Sequence, residues 1–171
     1  MKKAIDTMQK IQIAIGGLFL SIFLVSVVTQ MICRYLSIAA MWTEEVSMYS
    51  FIWAVFMGAA AMVHARAHFA FTSFLDMIKS EKAKGVLRLL ISLIMLSFAV
   101  LMCYYGVQIT KQFWNYKWIN IPSFNRGPTW LCLPLCGLTS SIYLLYQIVQ
   151  EIGVLTGKVK PAEEEQKGGN E

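Results

Sequence analysis

Residues 42–68 read WTEEVSMYSFIWAVFMGAAAMVHARAH, and their pattern decides the fold. A tryptophan and two adjacent carboxylates, Glu44 and Glu45, open the stretch; Val46 to Val63 carry no charge; His64, Arg66 and His68 close it. An uncharged run of this length predicts a helix across the roughly 30 Å of bilayer hydrocarbon. Ser47, Ser50, Ala54, Gly58 and Ala61 are spaced 3, 4, 4 and 3 apart, so they share one helical face. Small residues on one face let two membrane helices approach backbone to backbone.

Working outward, three further uncharged runs appear: Ile11–Cys33, Leu89–Thr110 and Gly127–Gln150. Hydrophobic residues make up 57% of the 171, charged residues only 15%, and the mean hydropathy is +0.55. A soluble domain of this size carries nearer 25% charge. The chain therefore reads as an all-α membrane protein of four transmembrane helices. Expected boundaries are an amino terminus over 1–10, a membrane domain over 11–153 with spans near 11–33, 46–63, 87–110 and 128–152, and a tail over 154–171. The apolar part of the first run exceeds a signal-peptide core, so an uncleaved helix is expected. The tail, KVKPAEEEQKGGNE from Lys158, is too polar to build a core and is expected to be disordered.

Orientation follows from the basic residues. An internal amino terminus puts eleven lysines and arginines on the cytoplasmic side and four (Arg34, Lys111, Lys117 and Arg126) on the outer side. That bias predicts both termini in the cytoplasm. The pI near 9.1 then reports topology, and no basic patch suggests nucleic-acid binding. Trp114, Tyr116, Trp118, Phe124 and Trp130 crowd the third loop, and with Trp42 they predict an aromatic outer rim. Pro122 and Pro128 prevent a continuous helix there, and Pro134 predicts a kink or a late start in helix four. Between helices two and three, Ser73 and Asp76 form a possible capping box. The alternation of Phe74, Leu75, Met77 and Ile78 with Lys79, Glu81, Lys82 and Lys84 predicts a short amphipathic helix on the inner surface. Gly85 is expected to break the chain before helix three.

Candidate chemistry is sparse. Cys33, Cys103, Cys132 and Cys136 contain no CxxC, and Cys132 and Cys136 stack one helical turn apart as expected inert thiols. His64 and His68 have metal-ligand spacing without a matching third ligand. No span contains the histidine that haem ligation between helices needs, and no phosphate loop, nucleophile elbow or HExxH is present. The sequence predicts no enzyme and no cofactor in this chain. Glu44 and Glu45 remain. An ionisable group deep in a membrane is a functional candidate, whereas acids in a helix's first turn complement its macrodipole. The structural reading is preferred, with Arg34 the first candidate partner within the chain and a basic residue of a partner subunit the alternative.

The order Arg34-Tyr35, Trp42-Thr43-Glu44-Glu45, Phe51, Trp53, Phe56, Gly58-Ala59-Ala60, then His68 and Pro134, resembles the small membrane subunit of tripartite ATP-independent periplasmic (TRAP) transporters. The likeness extends from about Ile11 to Ile148. His64 stands where many members have arginine, and Thr72 where many have an acid. The resemblance implies a scaffold partner of a large permease subunit in the bacterial inner membrane. A periplasmic binding protein would deliver an organic acid, a dicarboxylate or sugar acid, and sodium ions would bind in the large subunit. Arg34, Trp42, Glu44, Glu45, Ser50, Trp53, Ala54, Gly58 and His68 are the expected interface or structural residues. Two rivals are a self-contained small multidrug-type exporter, which normally needs a carboxylate deep in a span, and a membrane anchor for a redox enzyme.

Overall fold

The computed structural model describes residues 2–64 and 81–155. Among the described residues there are five helices: α1 (Lys2–Tyr35), α2 (Trp42–His64), α3 (Glu81–Phe113), the single turn α4 (Gly127–Trp130) and α5 (Cys132–Leu155). Four of them, all but α4 alone, are long and apolar enough to cross a membrane. Among the described residues there is no strand, only one isolated bridge between Lys117 and Asn125.

The uncharged runs underestimate the helices, because charged residues continue the backbone pattern beyond the hydrocarbon. α1 has 34 residues, about 51 Å at 1.5 Å per residue, so its lysine-bearing first turns extend past the bilayer core. Its end is set by a Schellman motif: the Ile38 N–H donates to Cys33 O at 2.8 Å and the Ser37 N–H to Arg34 O at 3.2 Å. Ser37 takes φ 56°, the left-handed conformation that this cap requires. α2 begins five residues after Ser37 with both glutamates in its first turn, where they face the positive end of the helix dipole.

One expectation is corrected and another is narrowed. Gly85 does not break the chain: α3 runs through it from Glu81, and Gly85 is buried there. A glycine inside a helix costs only about 1 kcal/mol relative to alanine, which the flanking helix-forming residues offset. Pro134 produces no mid-helix kink, since it is the third residue of α5, where its missing N–H has no intrahelical partner to lose. It marks a late start, separated from α4 by Leu131. The expected amphipathic helix falls largely on residues 65–80, and the expected disordered tail on 156–171, both outside the described residues; Glu81, Lys82 and Lys84 belong to α3.

In space the helices form a row. α1 packs on α2, α2 on α5, and α5 on α3, so α2 and α5 are central and α1 and α3 lie at the ends. The sequence α1–α2–α5–α3 leaves broad apolar faces on the end helices, including Leu18, Val25 and Val28 on α1 and Leu90, Ile94 and Phe98 on α3. Lipid is as apolar as these side chains, so close backbone packing and hydrogen bonds must hold the row together. α3 and α5 approach each other closely through two glycines. A Cβ at Gly137 would lie 2.6 Å from Cys103 N and 2.8 Å from Ala99 O, and one at Gly106 would lie 2.8 Å from Pro134 N. At the α1–α2 crossing, a Cβ added at Gly16 would lie 3.5 Å from Ala54 O and 3.6 Å from Gly58 N. Phe19 stacks on Trp53 one turn further along, with ring centroids 5.1 Å apart.

Candidate functional site

Two polar assemblies join the row, one at each end of α2. At its amino end, the connection from α3 to α4 folds back as a short hairpin. The Trp118 N–H donates to Phe124 O at 3.0 Å, the Arg126 N–H to Tyr116 O at 2.6 Å, and Pro122 occupies a turn closed by the Phe124 N–H on Ile121 O. Gly127 allows the base of the hairpin to pass Trp114, whose Cα would lie 2.7 Å from an added Cβ. The hairpin tip rests on α2. Backbone N–H groups of Ile119 and Asn120 donate to the two carboxylate oxygens of Glu45, each at 2.8 Å. Glu45 is only 6% exposed. One turn along the same face, the Tyr49 ring packs against Trp118 at 4.7 Å, and the Arg126 guanidinium lies beside the Tyr49 hydroxyl. The Trp118 indole N–H donates to Thr129 Oγ1 at 3.3 Å, tying the hairpin to α4 as well.

This geometry separates the two adjacent glutamates. Glu44 is exposed, and its backbone carbonyl accepts from the Ser47 hydroxyl. Glu45 has both oxygens committed to the hairpin backbone. The expected internal pairing with Arg34 is not formed: among the described residues Arg34 makes no ion pair and stands exposed beside Gln30 and Met31 at the end of α1. Bidentate acceptance from two successive N–H groups satisfies a buried carboxylate without a countercharge, because charge-assisted hydrogen bonds replace its lost hydration.

At the other end of α2, side chains of α1 and α5 cap its last carbonyls. Gln9 donates to Ala61 O at 3.1 Å, and Gln147 to Val63 O at 2.8 Å. His64 Nε2 lies 3.2 Å from Asp6 Oδ1, and its ring meets the edge of Tyr143. Deeper in the row, the Tyr143 hydroxyl donates to Gln12 Oε1 at 2.7 Å, and Gln12 Nε2 donates to Thr139 Oγ1 at 2.8 Å. Tyr143 and Gln12 are both buried, so each hydrogen bond avoids leaving a polar atom unpaired in an apolar surround. Tyr143→Phe leaves the Gln12 carbonyl oxygen without its donor and is expected to lower stability by about 1–3 kcal/mol. The check is thermal unfolding of the purified chain; an unchanged midpoint would mean that Gln12 finds another donor.

The other expected site residues are distributed. Ser50 is buried, Ala54 and Trp53 are half-buried against α1, and Trp42 is exposed at the start of α2. Gly58 differs from its neighbours on the small-residue face: an added Cβ there would meet nothing within 4 Å. His68 lies outside the described residues. Sequence reading missed Gln12, Tyr143, Ile119 and Asn120. The polar Gln12 inside an apolar run was a usable signal; backbone donors in a loop carry none.

Cys132 and Cys136 are buried free thiols, the latter against the Ala60 backbone. Among the described residues, no group of three or more histidine, cysteine, aspartate or glutamate side chains is placed to hold a metal ion. The helices and their polar joints thus define a multi-pass membrane protein built around packing contacts. The family model for the DctQ component of tripartite ATP-independent periplasmic transporters matches residues 23–153, and the chain belongs to that family. DctQ proteins are transporter components rather than enzymes, and they work in a tripartite system with a large permease and a binding protein. Among curated proteins none matches the chain.

Proposed function

We propose that this chain is the small permease subunit of a TRAP-type secondary transporter, held in the bacterial inner membrane with both termini in the cytoplasm. It acts as the fixed scaffold for a large permease subunit. That partner takes up an organic acid, a dicarboxylate or sugar acid, on a sodium gradient and from a periplasmic binding protein. Sodium ions bind in the large subunit, and none is needed here.

The family match supports the class. The observation that carries the scaffold role is the state of Glu45, whose two oxygens hold the hairpin backbone and are therefore committed to structure. The other acidic residues with described side chains, Asp6, Glu44 and Glu151, also lie towards helix ends, away from the mid-membrane depth at which secondary transporters hold substrate and ions. The eleven-to-four distribution of basic residues supports the orientation.

Reconstitution tests the reading. Proteoliposomes containing this chain alone are expected to take up no organic acid under an inward sodium gradient. Addition of the large permease and binding protein is expected to confer uptake that stops when the gradient is collapsed. Transport by the chain alone would overturn the scaffold assignment.

A further inference from the structure

The hairpin that Glu45 holds presents an unusual surface. Its inner side is satisfied, with Trp118 against Tyr49 and two N–H groups on the carboxylate. Ile119 is 77% exposed, and Phe124, whose ring also meets Trp118 at 5.6 Å, is 59% exposed; Tyr116 and Lys117 are exposed as well. Ile119 is therefore among the most exposed large apolar side chains described, on an element whose backbone is firmly fixed.

The length of α2 fixes the depth of that surface. The uncharged run Val46–Val63 of α2 starts immediately after Glu45. At 1.5 Å per residue it spans about 27 Å, close to the hydrocarbon thickness, so Glu45 marks the edge of the apolar core. Ile119 and Asn120 N–H groups lie 2.8 Å from that carboxylate. The hairpin tip is thus tied to the boundary between acyl chains and headgroups. Exposed Tyr35, Met41 and Trp42, from the end of α1 and the start of α2, flank the same end of the row.

We propose that the 116–126 hairpin is an interfacial anchor, with Ile119 and Phe124 embedded in the lipid layer on that side and Glu45 setting their depth. The ligand is the lipid surface itself. Apolar side chains at this level gain by leaving water, tyrosine favours the headgroup region, and Lys117 can extend its ammonium group to lipid phosphates. The placement requires only that the four helices span the membrane, so it stands apart from the transport assignment.

Site-directed spin labelling of the full chain tests the proposal. Cys33 and Cys103 are replaced by serine, while buried Cys132 and Cys136 are retained as inaccessible thiols. Single cysteines are introduced as Ile119→Cys, Phe124→Cys or, as a mid-span lipid reference, Val55→Cys. After reconstitution into phosphatidylethanolamine–phosphatidylglycerol vesicles, collision of each label with oxygen is compared with its collision with a water-soluble nickel chelate. Oxygen should dominate at 119 and 124, though less than at 55. Adding Glu45→Gln should shift labels 119 and 124 towards the nickel chelate and leave 55 unchanged, with helix content by circular dichroism confirming that the row still folds. Predominant nickel collision in the parent chain would place the hairpin in water, as a surface for a soluble protein. Exclusion of both reagents would bury it against a second protein. Either result overturns the lipid assignment, as would labels whose depth ignores the Glu45 substitution.

Discussion

Glu45→Gln is expected to destabilise the chain by about 2–4 kcal/mol, whereas Glu44→Gln is expected to stay within about 0.5 kcal/mol of the parent. The difference follows from donor and acceptor arithmetic. Both Glu45 oxygens accept from backbone N–H groups. A glutamine supplies one acceptor oxygen and turns its NH₂ towards the second N–H, so two donors face one another in a buried setting. The replacement is isosteric but not conservative. Glu44 is exposed, and its side chain supports no comparable contact. Thermal unfolding in detergent distinguishes the two, and equal midpoints for both variants would refute the clamp. The same pair separates structure from ion coupling. A clamp predicts that loss of uptake in Glu45→Gln is accompanied by loss of stability or of complex assembly. Full assembly and stability with sodium-driven uptake abolished would instead make Glu45 a coupling group. Arg34→Glu is not expected to rescue Glu45→Lys, because Arg34 makes no ion pair with Glu45, whose oxygens accept from Ile119 and Asn120.

The second large effect lies at the α3–α5 crossing. Gly137→Ala is expected to cost about 1–3 kcal/mol and Gly137→Leu more, because the new side chain meets backbone that cannot rotate away. The obstructing atoms are Cys103 N at 2.6 Å and Ala99 O at 2.8 Å. Relief requires the two helices to separate, which removes the close packing that holds membrane helices together. Gly58→Leu provides the contrast. Nothing lies within 4 Å of an added Cβ at Gly58, so the chain by itself should tolerate leucine. If the large permease covers that position, uptake and co-purification fall while the stability of the isolated chain stays unchanged. Unfolding midpoints for the three variants, measured together, check the ordering. Gly137→Ala as stable as the parent would show that α3 shifts freely, and Gly58→Leu as damaging as Gly137→Leu would show that the space open at Gly58 ends at the Cβ.

The four membrane-length helices and the aromatic, non-helical third loop were legible in residue order because each depends on local composition. Val46–Val63 must be helical in lipid, since every backbone polar group there needs an internal partner. Pro122 and Pro128 exclude a continuous helix whatever surrounds them. The motif order around Trp42–Glu45 and Gly58 likewise sufficed for the family. Local rules erred at Gly85, where helix propensity and neighbours overrode one glycine.

What the tertiary structure alone decided is which helices meet and what each polar group does there. The row α1–α2–α5–α3 brings Gln12 to Tyr143 across 131 residues of sequence, and Ile119 to Glu45 across 74. Helical periodicity reports the face on which a side chain lies, but not which element covers that face. Glu44 and Glu45 are chemically identical neighbours about 100° apart around α2, and only the returning hairpin makes one a buried clamp and leaves the other in the open. Gly58 and Gly137 are alike in sequence for the same reason: a glycine removes a side chain everywhere, but only a second backbone brought against it turns that absence into a contact.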